Sequence, residues 1–154
     1  MNSYQFYKKD GTLFVFKNQP VFISILVILF FIAAGLAYKY GIPLLGLFLI
    51  AFGILIIVNF FAKKLVIDTE RKTITGKHSI FVSAKTYSFQ DFTNFETLAM
   101  KYMGFITTNV ILSIHFNING KDEKLTIGQT LTRKGIQKMV NETEDIMRLN
   151  ENIR

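Results

Sequence analysis

Two long apolar blocks stand close together near the start of the chain, and on either side of them the pattern changes to short alternating runs. Residues 20–38 hold no charge in 19 positions, and residues 41–62 hold none in 22. At a rise of ~1.5 Å per residue, each block makes a helix of roughly 28–33 Å, matching the hydrocarbon core of a bilayer. The pattern predicts a transmembrane α-helical hairpin over 20–62. Ala33 and Ala37 share one helical face, and so do Gly46 and Gly53. Small residues let helix backbones approach closely, although Gly and Ala are also simply frequent in membrane helices. Ser24 and Asn59 are the clearly polar side chains of the blocks. With no ionisable group in either block, a proton relay or a charged-substrate path has no support.

Residues 4–17 read YQFYKKDGTLFVFK. Asp10-Gly11 suits a type I′ turn between strands near 4–9 and 12–17. Leu13, Phe14, Val15 and Phe16 are consecutive apolar residues, so both faces of the second strand need cover. A lone hairpin is marginal in water, so packing on the C-terminal domain or a partner chain is expected. A disordered basic tail is the alternative, and the aromatic content speaks against it.

Beyond residue 62 the periodicity becomes strand-like. Leu65 to Ile67 and Thr73 to Gly76 flank a turn at 68–72. A third strand is predicted over 79–89 and a fourth from 92 to 97. In 110–118, Val110, Leu112, Ile114, Phe116 and Ile118 point one way, while Ile111, Ser113, His115 and Asn117 point the other. Asn119-Gly120 signals a second type I′ hairpin into Lys124 to Ile127. Thr132 suits an N-cap. Ile136, Met139, Val140, Thr143, Ile146, Met147 and Leu149 then form the stripe of an amphipathic helix ending near Asn150. The expected organisation is an N-terminal β-hairpin (1–19), a two-helix membrane hairpin (20–62) and an α+β domain (63–154). That domain would be an antiparallel partial β-barrel closed by a C-terminal helix.

The charge is +7 over 154 residues, and its placement matters more than its size. Lys8, Lys9, Lys17, Lys63, Lys64, Arg71 and Lys72 flank the apolar blocks, whereas Lys39 alone sits between them. The positive-inside rule then puts both termini in the cytoplasm and the protein in the inner membrane. A cleaved signal peptide is the competing reading of the first block. It fits poorly, because 19 residues precede the block and the block exceeds a usual signal core. Lys8, Lys9, Lys17, Lys63 and Lys64 are candidates for contact with an anionic leaflet; snorkelling and topology would explain the same residues.

Residues 98–106 read LAMKYMGFI. Met100, Tyr102, Met103 and Phe105 suit a membrane-dipping or partner-binding loop, with a core strand as the alternative. Arg133, Lys134 and Lys138 oppose the dipole of the last helix and are read as a solvated face. The absence of Cys excludes disulfides, thiol catalysis and zinc-thiolate sites. His78 and His115 lie 37 apart with no repeated carboxylates nearby, so no metal site is expected. There is no Gly-rich phosphate loop, nucleophile elbow or paired-carboxylate pattern. No catalytic residue, cofactor or nucleic-acid partner is expected.

The stretch KKLVIDTERKTITG at 63–76, the meandering strands and the terminal LTIGQTLTRKGIQKMVNETEDIM resemble the bacterial PH-like domains that sit beside membrane helices. The spacing from Asp68 to Ile74 and the Ile127-Gly128 step carry most of the likeness, and the preceding hairpin strengthens it. The resemblance implies a PH-like barrel used as a binding or assembly module, with no catalytic residues. The expected function is a non-enzymatic integral membrane protein acting as a scaffold or accessory subunit through a protein partner or homo-oligomer. A small membrane immunity or toxin-neutralising protein and a ring-forming homo-oligomer are the alternatives.

Overall fold

The computed structural model of the protein describes residues 4–102 and 106–148. Strands β1 (Tyr7–Asp10) and β2 (Leu13–Phe16) lead into helices α1 (Val21–Lys39) and α2 (Pro43–Ala62). Strands β3 (Lys64–Asp68), β4 (Thr73–Lys77) and β5 (Lys85–Ser88) follow, then a 3-10 turn at Phe89–Asp91. Strands β6 (Phe92–Tyr102), β7 (Ile106–Ile118) and β8 (Lys121–Thr130) precede α3 (Arg133–Arg148).

The fold is α+β, with two antiparallel sheets ordered β1-β2-β3-β4-β5 and β6-β7-β8. The expected barrel does not close: β5 and β6 belong to different sheets, joined by the 3-10 turn instead of a ladder. The first sheet supplies Phe14, Phe16, Leu65, Ile67, Ile74 and Tyr87 to the core, and the second supplies Val110, Leu112, Ile114, Phe116, Leu125 and Ile127. Tyr87 stacks on Phe116 at 4.4 Å between ring centres, bridging the sheets. The amphipathic face of α3 adds Ile136, Met139 and Ile146. The Phe16 ring lies so close to Gly128 that a Cβ there would come within 2.5 Å of Cζ, so any larger residue at this step must displace the ring.

Strand β2 pairs with β3, with Phe14 opposite Ile67 and Val15 opposite Val66. The chain leaves the sheet at the end of β2, travels 47 residues through two helices, and returns as the adjacent strand. The helical hairpin is thus an insertion in a discontinuous domain. The N-terminal piece is held by α3 as well. Glu142, 7% exposed, accepts the backbone N–H groups of Gln5 and Phe6, each at 2.9 Å. Tyr7 Oη and Thr143 Oγ1 lie 2.7 Å apart. The Thr143 hydroxyl donates to the Met139 carbonyl, which leaves the Tyr7 hydroxyl as donor to Thr143. Burial holds the Tyr7 pKa above its ordinary value.

Helix α1 ends in a Schellman motif. Gly41 has φ +74°, its N–H donates to Tyr38 O, and Ile42 N–H donates to Ala37 O. Pro43 opens α2 at a position where its missing N–H leaves no bond unmade. Gly46 and Gly53 are buried against α1, and a Cβ at Gly46 would lie 2.7 Å from the Tyr38 ring. On α1, Ala34 abuts Gly46 through its carbonyl and Phe31 packs on Gly53; Ala34 and Ala37 are buried, and Ala33 is only half-buried. The other faces of both helices remain apolar and exposed, including Ile25, Leu29, Ile32, Leu44, Phe48 and Phe61. Helix α2, with a mean hydropathy of 2.8, is long and apolar enough to cross a membrane; the apolar part of α1, Ile23–Lys39, is shorter. The expectation of two spans is therefore met by length and composition for one helix only.

Three local expectations are corrected. Asp10 pairs with Leu13, so the first turn is Gly11-Thr12 with positive φ at Gly11 alone, the pattern of a II′ connection. Residues 79–84 are not strand. Ser79 Oγ accepts the Phe81 N–H, Ser79 O accepts the Val82 N–H, and Asn59 Oδ1 accepts the Ile80 N–H, which takes these donors away from any ladder. Met100 and Tyr102 lie in β6 and not in a loop, while Met103 and Phe105 fall outside the described residues. At Asn119-Gly120 both φ values are positive, 52° and 80°, as a I′ turn requires.

Candidate functional site

The junction between helices and sheet is built from the two chain crossings. Asn18 Nδ2 donates to the Lys63 carbonyl at 2.8 Å and ties the outgoing strand to the returning one. Asn59, near the end of α2, holds the 79–84 loop through the Ile80 N–H at 3.2 Å. Between them opens a cavity of about 410 Å³. Ile23 and Phe60 from the helices and Phe16 and Ile111 from the sheets form its apolar wall; Lys63, Lys64, Lys77 and His78 form its polar wall. Among the described residues no carboxylate lines it. Lys64 stands directly opposite Lys77 in the β3–β4 register. Burial lowers the His78 pKa, and the charge of Lys63 lowers it further.

Exposed apolar side chains surround this neck. Phe81 is 77% exposed in the loop tied to α2. Val82 is also exposed. Leu98 opposes Ile111, which lines the cavity, and Met100 shares the Leu98 face two residues on; both are exposed. Leu131 lies with Val21 in the neighbouring cleft.

Of the predicted surface cations, Lys63 and Lys64 reach the cavity. Lys17 donates instead to the Tyr4 and Gln5 carbonyls, at 3.1 and 3.3 Å. Lys8 and Lys9 sit on the edge strand β1, with the Lys9 ammonium 5.6 Å from the centre of the Phe14 ring. Lys77, His78, Phe81 and Val82 join the site without having been predicted for it. Lys77 was findable, since pairing Asp68 with Thr73 across the turn forces Lys64 onto Lys77.

A second polar cluster lies on the three-stranded sheet. His115, 17% exposed, contacts Asp122 through Nδ1 at 2.8 Å and Glu96 through Nε2 at 3.1 Å. Lys124 also bonds Glu96. The bonds to Glu96 and then Asp122 raise the His115 pKa above 6.5, while those from Lys124 and then His115 lower that of Glu96. Nearby, burial and its bond to Glu123 push the Tyr87 hydroxyl up to about 12. Among the described residues no group of three or more His, Cys, Asp or Glu is placed to hold a metal ion. The cluster acts on stability. A raised His pKa contributes stability that is full below the unfolded value and is lost as pH rises through the folded one. The thermal midpoint of the parent should therefore fall relative to that of His115→Gln as pH rises from 6 to 8. His78 has the opposite sign, which the difference between the two proteins cancels. A constant difference across that range contradicts the assignment.

Comparisons with protein-family models, with curated proteins and with solved structures find no match for this chain.

Proposed function

We propose that this chain is a non-enzymatic integral membrane protein, whose two helices cross the bilayer as a hairpin and hold a PH-like domain against the cytoplasmic leaflet as a binding or assembly module. The observation that carries the reading is the insertion of the hairpin between adjacent strands β2 and β3. If α2 crosses, its first residue is on the far side and its last is beside the domain. Antiparallel α1 runs from Val21, beside the same neck, to the same far turn. One crossing therefore entails two, despite the shorter apolar part of α1. The charge-free, exposed outer faces of both helices support the same reading. So does the lysine excess at the neck against Lys39 at the turn.

A module fixed at two adjacent strands, with a second tie from Asn59 to the 79–84 loop, has little freedom to swing on its anchor. Such rigidity suits a scaffold or accessory subunit that presents one surface to a partner beside the membrane. Purification in a mild detergent from native expression, with mass measured on the intact particle, tests it. The expected particle contains a second copy or another protein. A lone monomer contradicts the reading.

A further inference from the structure

We infer that the neck cavity binds the phosphate of one anionic phospholipid from the adjoining leaflet, in a discrete site formed by Lys63, Lys64, Lys77 and His78. This deepens the membrane reading and rests on it. Three observations carry it. First, Lys64 and Lys77 are directly opposed on neighbouring strands, an arrangement that repels unless an anion lies between. Second, Lys63 and His78 add to the same wall, and among the described residues no carboxylate lines the cavity. Elsewhere on the domain four cations are matched, Lys85 with Glu123, Lys124 with Glu96, Arg71 with Asp68 and Arg148 with Glu144, while scattered ones such as Lys72, Lys121 and Lys134 are in no ion pair among the described residues, so the neck is set apart by convergence on one cavity. Among the described residues the three neck lysines enter no such pair. Third, Ile23 and Phe60 from the apolar helices line the same cavity as part of its apolar wall. A headgroup held by the lysines would have its acyl chains continue along an apolar surface, which a free phosphate would leave bare.

The site differs from general attraction to an anionic surface. A surface effect spreads over all exposed cations, including Lys8 and Lys9 on β1, whereas the cavity gives a stoichiometry of one.

The full chain, reconstituted into nanodiscs holding equal phosphatidylglycerol and phosphatidylcholine, is released and weighed by native mass spectrometry. The parent is expected to retain one phosphatidylglycerol in preference to phosphatidylcholine. The double variant Lys64→Gln, Lys77→Gln should lose that preference by about tenfold or more. The variant Lys8→Gln, Lys9→Gln should keep it. Relief of the opposed charges should also give the neck variant a melting temperature in lipid-free detergent at or above the parent's, which separates lost binding from lost folding. Equal retention of both lipids by the parent, or unchanged preference in the neck variant, overturns the site. Saturation by glycerol phosphate added to discs of phosphatidylcholine alone overturns the assignment to a lipid. A chain that stays out of the discs overturns the membrane reading itself, an outcome visible before any lipid is counted.

Discussion

Replacing residues 18–63 with Asn-Gly is expected to release a folded, water-soluble domain. Strands β2 and β3 are antiparallel neighbours, and their register places residue 17 opposite residue 64. A two-residue type I′ turn closes such a ladder, and Asn-Gly supplies the positive φ at both of its positions. The core, from Phe6 to Ile146, lies outside the excised segment. Most of the large exposed apolar side chains lie within it. The product should stay in the supernatant after high-speed centrifugation and melt cooperatively, whereas the parent should sediment with membranes. An insoluble or unfolded product would mean that the helices belong to the core.

Glu142→Ala is expected to cause a large loss of stability for a single polar side chain. It orphans two backbone donors, at Gln5 and Phe6, that lie inside the docked N-terminal segment. The buried Phe6 N–H costs about 1–3 kcal/mol when unpaired and the part-buried Gln5 N–H less, so the sum is about 2–4 kcal/mol. Glu142→Gln keeps one acceptor oxygen and should lose roughly half of that. The loss should be local as well as global. Amide exchange at Gln5 and Phe6 should accelerate ahead of exchange in β7, because the N-terminal segment is released from α3 first. Uniform acceleration across both would assign Glu142 to general packing instead.

What could be read in advance follows the range of the interaction. The absence of charge in 20–38 and in 41–62 is a local property, and it marks the two helices. The alternation in 110–118 is local too: Val110, Leu112, Ile114 and Phe116 are all buried, while the other face is mixed, with Ser113 also buried and Asn117 exposed. Thr132 Oγ1 accepts the Gly135 N–H at the start of α3, a capping bond within four residues. Long-range partners are a different matter. Glu142 looks like a solvated helix residue until Gln5 and Phe6, more than 130 positions earlier, are folded onto it. The 79–84 segment has strand-like composition, but Asn59 lies on another element and captures one of its donors. Two sheets instead of a closed barrel also depend on the 3-10 turn at Phe89–Asp91, set by Ser88 Oγ accepting the Gln90 N–H, which periodicity does not signal.

The neck needed both kinds of information. Lys63 and Lys64 stand out in the sequence as charges ending an apolar block. Their relation to Lys77 requires the register of β3 and β4, and their relation to Ile23 requires the whole insertion to be in place.

Sidedness of labelling tests most directly whether the inserted helices cross a bilayer. The chain has no cysteine, so single replacements report without background. Tyr40→Cys marks the turn between α1 and α2, and Lys121→Cys marks the exposed β7–β8 hairpin. In sealed membrane vesicles of one orientation, a membrane-impermeant maleimide should reach one of these positions from outside and the other only after detergent is added. Reaction of both from the same face of intact vesicles would contradict the crossing hairpin.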